Sequence, residues 1–178
     1  LKLTNAYCVF ANGGKKVEPT LISRIQNRRG KTIFNFDKRK CEGCEIVNID
    51  ENYSPKIIDK KEQVISQETA YQMTSILEGV VKRGTGKKLK VLGVPLAGKT
   101  GTTNKNFDAW FIGFTSDLAI GVYVGYDEPK TLGKFETGSK AALPIFKSFI
   151  EKSIYKEEMK AFKVPSNIYF FPVDYNTG

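Results

Sequence analysis

The residues of this chain with the most chemical interest are Lys99, Thr100, Gly101, Thr102 and Thr103, which follow one another directly. They place one cation, three hydroxyl groups and a residue without a side chain next to each other. The chain has no histidine, which excludes Ser-His-Asp and Cys-His catalysis and every zinc site that needs imidazole. A serine nucleophile acting beside this run would therefore depend on lysine chemistry. The alternative interpretation is an exposed strand end.

The composition is that of an ordinary globular protein with a basic surface. The chain has 178 residues, enough for one domain with a hydrophobic core, and a formal net charge of +9. Basic residues are concentrated in residues 24–40, 82–90 and 147–163. This charge favours an anionic partner, such as nucleic acid, an anionic lipid surface or an acidic polymer, or else forms a solvated surface. The aromatic-basic pattern of RNA-binding modules is missing from the sequence, and we expect no nucleic-acid partner.

No stretch of the sequence is long and apolar enough for a membrane span, and no secretory signal opens it. The first residue is Leu1, within a predicted helix, and the last five residues form a turn-like sequence. We therefore expect both ends to be cuts in a longer protein.

The cysteine pattern leaves two interpretations open. Cys41 and Cys44 form Cys-Glu-Gly-Cys in a polar segment. A metal site would need two more ligands, and Cys8 alone does not supply them, so we expect no metal. The segment also differs from a thioredoxin-like motif, which opens a helix after a strand. The pattern predicts a local disulfide in an oxidising compartment, and the alternative is two unpaired surface thiols. Cys8 is predicted to be a buried structural residue.

Hydrophobic spacing predicts three helices and several strands. Residues 3–12 are predicted to be the end of a helix that already includes Leu1, and two further helices cover residues 66–83 and about 141–155. Ser66 is a suitable N-cap for the second helix, whose apolar face is formed by Ala70, Tyr71, Met73, Ile76, Leu77, Val80 and Val81. Strands are predicted over residues 17–25, 33–36, 91–103, 108–115 and 118–126, and the apolar run 168–171 could form one more.

The connections between these elements define the fold class. Residues 104–106 and 116–117 are short polar links, so the strands that they join must be antiparallel neighbours. Glycines within the strands, at 113, 121 and 125, indicate bends or close packing by a helix. Residues 37–60 are predicted to be an irregular insertion that holds the cysteine pair. The sequence therefore predicts an α+β fold in which an antiparallel β-sheet is flanked by α-helices.

Many short segments of the chain follow one another in a familiar order. They are Asn5–Tyr7, Phe10–Gly14, Ala70–Met73, Val80–Gly86, Ala97–Asn104, Asp108–Phe114, Val122–Asp127, Thr137-Gly138 and Ala141–Ile145. In order and spacing they resemble the transpeptidase domain of the class A penicillin-binding proteins of the 1A type, which are bifunctional peptidoglycan synthases. The resemblance extends from about Leu3 to about Tyr155, and Lys-Thr-Gly is one of the three motifs of penicillin-binding proteins and β-lactamases.

The sequence departs from this family in two motifs. Ser-x-Asn is missing, and the only Ser-x-x-Lys is Ser153–Lys156, which follows Lys-Thr-Gly instead of preceding it. We interpret that match as chance and expect both true motifs to precede Leu1. The resemblance thus implies a partial penicillin-binding or β-lactamase-like transpeptidase fold over residues 1–156, with residues 157–178 as a tail or the start of a following segment.

The resemblance also implies roles for the run described first. Lys99 and Thr102 would be catalytic, and Thr100, Gly101, Thr102 and Thr103 would bind substrate. The parent would cross-link peptidoglycan stem peptides through a serine acyl-enzyme, as a D,D-transpeptidase, and would bind β-lactams without a cofactor. The isolated chain, lacking the serine motif, would be inactive.

The resemblance implies a setting for the parent protein as well. Its partners would be the missing N-terminal half of the domain, a glycosyltransferase domain and a membrane anchor. That anchor would hold it at the periplasmic face of the bacterial cytoplasmic (inner) membrane. The alternative functions are a non-catalytic remnant or binding module of the same fold and a relative of the serine β-lactamases. The residues before Leu1 would discriminate between them.

Overall fold

The computed structural model describes residues 1–44, 55–58, 60–153, 159–174 and 177. The chain forms two compact units, Leu1–Lys16 with Gln63–Gly178, and Val17–Glu62. In chain order the helices and strands are α1 (Lys2–Ala11), β1 (Arg24–Gln26), β2 (Thr32–Asn35), β3 (Lys40–Glu42), β4 (Lys56–Ile58), α2 (Gln67–Arg83), β5 (Ala97–Thr102), β6 (Asp108–Phe114), β7 (Ala119–Gly125) and α3 (Leu143–Ser153). Short 3₁₀ helices cover Lys87–Leu92 and Asn104–Asn106, and a π-helical turn, Gly138–Ala142, leads into α3.

The first unit is built on a three-stranded sheet in the order β5-β6-β7. Both strand pairs are antiparallel; Lys99 lies opposite Ile112, and Ile112 lies opposite Gly121. This pairing confirms the predicted α+β class and the antiparallel arrangement. The strands are antiparallel because the links between them are too short for a crossover.

Helices cover both faces of this sheet. Successive residues of β6 point to opposite sides, so each face presents its own side chains to a helical layer. On one face the ring of Phe111 packs on Phe146 of α3, with 4.8 Å between centroids. On the other face Phe114 lies near Tyr7 of α1 and Phe162 of the segment after α3, at 6.4 Å and 5.6 Å. Phe111, Phe114 and Phe146 have no exposed surface. Each ring therefore joins one helical layer to the sheet.

Helix α2 begins where predicted, at the N-cap Ser66, whose hydroxyl accepts a hydrogen bond from the Thr69 N–H. Its buried face is only partly the predicted one. Ile76 is 62% exposed, whereas Thr74 and Gly79 are buried. The Thr74 hydroxyl donates to the carbonyl of Ala70 at 2.9 Å. A polar side chain thus enters the core with its hydrogen bond satisfied.

The first main strand is shorter than the predicted 91–103. Residues 87–92 form a 3₁₀ helix in which Leu89 and Leu92, three positions apart, are both buried. A 3₁₀ helix has three residues per turn, so these two side chains share one face. Gly93 ends that helix in the left-handed conformation, with φ +68°, and the strand begins only at Ala97.

Two other predicted strands are also wrong in extent or existence. Within residues 17–25 only 24 and 25 belong to a strand, β1. The apolar run 168–171 forms no strand, and Tyr169 and Phe171 are 75% and 79% exposed. Hydrophobicity alone does not make a strand, because a strand also needs a neighbouring backbone with which to pair.

The second unit contains two hairpins, β1–β2 and β3–β4. The prediction that residues 37–60 are irregular is wrong for part of that segment, because β3 and β4 pair within it, with Cys41 opposite Ile57. Residues 45–54 and 59 of that segment lie outside the described part of the chain. Cys41 and Cys44 are joined in a disulfide with 5.7 Å between their Cα atoms. Cys8, in the first unit, is half-buried, and burial raises the pKa of its thiol.

Replacing Gly113 with alanine should destabilise the chain. A Cβ atom there would lie 2.6 Å from Phe146 and 2.9 Å from Phe111, and overpacking of a core costs about 1–3 kcal/mol. Thermal unfolding measures the effect. Gly79→Ala is the matched control, since its methyl group would meet only the flexible guanidinium of Arg83. A midpoint for Gly113→Ala equal to that of Gly79→Ala would contradict the packing of α3 on the sheet.

Candidate active site

Strand β5 brings the predicted site residues to an edge of the described sheet. Ala97 and Gly98, its first two residues, are buried, whereas Lys99 and Thr102 are exposed. The beginning of the strand is thus buried in the core, and its later residues are polar and reach the surface. Thr100 and Gly101 lie between these extremes, half-buried. Because β5 pairs only with β6 among the described strands, its outer edge can accept an extended peptide.

Lys99 provides a cation at this edge. Its Nζ donates a hydrogen bond of 2.7 Å to the carbonyl of Thr100 and lies 3.5 Å from the Thr100 hydroxyl. Within the described part of the chain, no carboxylate forms an ion pair with it. Both contacts with Thr100 are hydrogen bonds donated by the ammonium group, so one of its three protons is left for a ligand, beside the Thr100 side chain.

The Thr100 hydroxyl lies 2.9 Å from the hydroxyl of Thr85. Thr85 is placed there by the end of α2, where the N–H groups of Gly84 and Gly86 both donate to the carbonyl of Val80. Only one of the two threonine hydroxyls donates in their shared hydrogen bond, so the other keeps its proton for a further acceptor. Thr85 is absent from the predicted site, although it belongs to one of the segments that carry the resemblance.

The Thr102 hydroxyl accepts a hydrogen bond of 3.0 Å from the N–H of Gly138. Its own proton is consequently directed elsewhere and can be donated. Gly138 lies so close to β5 that a Cβ atom on it would come within 2.5 Å of the Gly101 carbonyl oxygen and 3.1 Å of the Gly101 nitrogen. Only glycine fits at this position, and sequence reasoning alone did not assign it to the site.

Thr103 lies beside the other residues of the run but is used in the turn that follows. Its hydroxyl accepts from the N–H of Asp108 at 2.8 Å, and its N–H donates to the Asp108 carbonyl at 3.1 Å. The Asp108 carboxylate accepts from the Tyr123 hydroxyl at 2.8 Å, and this hydrogen bond raises the pKa of Tyr123. The ring of Tyr123 lies 4.8 Å from that of Trp110, between centroids. These contacts brace the sheet behind the site.

The arrangement as a whole is suited to an anion. One cation, Lys99, and the hydroxyls of Thr85, Thr100 and Thr102 are brought together by β5, the end of α2 and the turn before α3. Within the described residues no group of three His, Cys, Asp or Glu side chains could hold a metal ion.

None of the described helices is long and apolar enough to cross a membrane.

A cavity of about 250 Å³ lies elsewhere, between the end of α1 and the beginning of α2. Its lining includes Phe10, Lys15, Tyr71, Phe162 and Lys163, and none of the predicted site residues. It does not form part of the candidate active site.

Comparisons with known proteins identify the family of the chain. Residues 1–151 match the family model described as the penicillin binding protein transpeptidase domain. The chain is 46% identical to penicillin-binding protein 1A of Rickettsia prowazekii over 99% of its own length and 23% of that protein. It is 34% identical to penicillin-binding protein 1A of Pseudomonas aeruginosa, over 100% of its length and 25% of that protein.

A solved structure shares the fold. The crystal structure of penicillin-binding protein 1A from Haemophilus influenzae matches 93% of this chain and 28% of its own with a TM-score of 0.74 and 26% identity. The chain spans about a quarter of the length of the curated relatives that it matches. On the match over residues 1–151, the chain belongs to the penicillin-binding protein transpeptidase family.

Proposed function

We propose that this chain forms one wall of the active site of a peptidoglycan D,D-transpeptidase that also binds penicillin. The observation that carries the proposal is Lys99, which projects at the edge of β5 beside the Thr100 hydroxyl without a carboxylate partner among the described residues. In a penicillin-binding protein transpeptidase domain, such an edge is suited to a peptide that ends in a carboxylate. The peptide of this reaction would be a stem ending in two D-alanines.

The first role of the wall would be to bind the terminal carboxylate of the stem. Thr100 and Thr102 would donate hydroxyl hydrogen bonds, and the Lys99 ammonium would add a charge-assisted contact. Support comes from the hydrogen bonds already present: Gly138 donates to Thr102 and Thr85 shares its hydrogen bond with Thr100, so protons remain for the ligand. Gly101 would let the substrate backbone lie against the strand. A direct contact of Thr103 with substrate stays a prediction. Its hydroxyl already accepts a hydrogen bond from the Asp108 N–H in the turn after β5.

The second role would be catalytic. A serine oxygen would attack the carbonyl between the two D-alanines, the terminal D-alanine would leave, and an amine of a second stem would then take the acyl group from the serine. The Thr102 N–H, together with that of the serine, would stabilise the oxyanion; one such donor is worth about 10²–10³ in rate. Lys99 would favour proton transfer through its positive charge.

The nucleophile in this proposal is not a residue of this chain. Ser153 is the last residue of α3 and exposed, and Lys156 lies outside the described residues. The true Ser-x-x-Lys and Ser-x-Asn motifs would come from another part of the parent. We propose that the parent also carries a glycosyltransferase domain and an anchor in the cytoplasmic membrane, with residues 1–156 in the transpeptidase domain.

Lys99→Ala in the full-length protein should slow acylation by penicillin at least about a hundredfold, since substrate capture and proton transfer both suffer. The Lys99→Arg variant should also be acylated slowly, because the planar guanidinium does not reproduce the geometry of the compact ammonium group. The second-order acylation rate and a thermal melt are measured together. Lys90→Ala, which removes an exposed lysine from the 3₁₀ helix, is the control. A folded Lys99→Ala protein with the wild-type rate would place the site elsewhere.

Thr102→Val should reduce the acylation rate by roughly tenfold, less than Lys99→Ala, because one hydroxyl is lost while the backbone N–H survives. It also leaves the buried N–H of Gly138 without its acceptor, so a lower unfolding midpoint is expected. Thr102→Ser keeps the oxygen and is the matched control. Equal rates for valine and serine would exclude a role for the hydroxyl.

The chain of 178 residues, incubated alone with penicillin, should keep its mass, because the nucleophile is supplied from elsewhere. Intact-mass spectrometry checks this, with the full-length protein as the positive control. A stable adduct on Ser153 would contradict the assignment. Rapid hydrolysis of penicillin by the full-length protein would instead indicate a β-lactamase.

A further inference from the structure

The β1–β2 hairpin of the second unit is a basic, exposed element that the candidate active site does not use. All residues of both strands are exposed. The hairpin, residues 24–35, has four lysines and arginines and no acidic residue, and the first acidic residue after it in the sequence is Asp37. That carboxylate is already neutralised by a bidentate contact with Arg39, which lowers the pKa of Asp37 to about 2. Within the described part of the chain, the hairpin therefore carries a net positive charge that no acidic side chain of its own balances.

The tip of the hairpin holds three of these cations in a defined turn. The Asn27 side-chain oxygen accepts from the N–H groups of Arg29 and Lys31 at 2.9 Å and 3.0 Å. Gly30 adopts a φ of +77°, and its carbonyl accepts from the Gln26 side chain at 3.0 Å. The turn is thus fixed by its own side chains. The side chains of Arg28, Arg29 and Lys31 meet no acidic group in the described part of the chain.

An apolar face accompanies the charge. Ile25 and Phe34 lie opposite each other in the strand register, so their side chains share one side of the hairpin. The N–H of Phe36 donates to the carbonyl of Ser23 at 2.9 Å, which continues the ladder beyond β2, so the alternation of side chains brings Phe36 to the side of Phe34. These three residues are 41%, 42% and 37% exposed. A purely ionic partner would leave such a face in water, whereas a polymer with both sugar rings and carboxylates would cover it and pair with the cations.

We propose that the β1–β2 hairpin is a secondary binding site for peptidoglycan strands whose stem peptides end in free carboxylates. This rests on the proposed function, which makes such a polymer the substrate. Arg28, Arg29 and Lys31 pair with carboxylates of neighbouring stems, and Ile25, Phe34 and Phe36 lie against the apolar faces of the sugars. Each contact is weak, but repeated carboxylates on one strand raise the effective concentration at the hairpin. Bound strands are retained near the enzyme between successive cross-links.

Co-sedimentation of the full-length protein with isolated peptidoglycan sacculi tests the proposal. Reversal of the tip charges, in Arg28→Glu/Arg29→Glu/Lys31→Glu, should lower retention at low salt at least about tenfold. Retention of the wild type should fall steeply between roughly 0.05 and 0.5 M salt, because exposed ion pairs are screened. The neutral variant Arg28→Gln/Arg29→Gln/Lys31→Gln should show an intermediate loss of retention. It keeps the proposal testable if the charge-reversed variant misfolds.

The control Lys90→Glu/Lys152→Glu/Lys160→Glu changes the net charge equally at dispersed, exposed positions and should leave retention near the wild-type level. Penicillin labelling should be unchanged in every variant. Equal loss in the control, or wild-type retention after tip reversal, would overturn the proposal while leaving the proposed function intact. Retention on anionic phospholipid vesicles but not on sacculi would also overturn it. Failure of the wild type itself to take penicillin would instead refute the proposed function.

Discussion

The burial of β6 on both of its faces is the constraint on which the rest of the first unit depends. Phe111 faces α3 and Phe114 faces α1, and neither ring retains contact with solvent. A strand covered on both faces fixes its register, because a slip by one residue would exchange the two sets of side chains. The register of β6 in turn fixes that of β5, and hence the point at which Lys99 leaves the core.

The candidate site is assembled from three parts of the chain that meet at β5. The end of α2 brings Thr85 to Thr100, and the turn before α3 brings Gly138 to Thr102. Each contact uses a threonine hydroxyl of β5, and a hydroxyl group can accept one hydrogen bond and donate another at the same time. Part of that capacity holds β5 against its neighbours, and the remainder, with the Lys99 ammonium, is suited to an anionic ligand. Preorganisation of this kind lowers the cost of ordering side chains when a substrate arrives.

Much of the fold was predictable because it follows from local patterns. The links at 104–106 and 116–117 are short enough to impose antiparallel pairing, and Ser66 marks the start of α2 through its own hydrogen bond. The 3₁₀ helix at 87–92 was missed because a few apolar residues fit either a strand or a tight helix. Thr85 and Gly138 were not assigned to the site because their contacts with β5 join residues 15 and 36 positions apart. Spacing along the chain does not reveal such contacts, whereas the Lys-Thr-Gly motif was visible at once.

The most direct test of the account is a crystal structure of the full-length protein acylated by penicillin. The account predicts that the penicillin carboxylate lies within hydrogen-bonding distance, about 2.7–3.2 Å, of the Thr100 and Thr102 hydroxyls. It also predicts that the acyl carbonyl oxygen accepts from the Thr102 N–H, while Gly138 still donates to the Thr102 hydroxyl. A penicillin carboxylate bound away from β5, with no contact to Lys99, Thr100 or Thr102, would contradict the assignment of this strand as the wall of the active site.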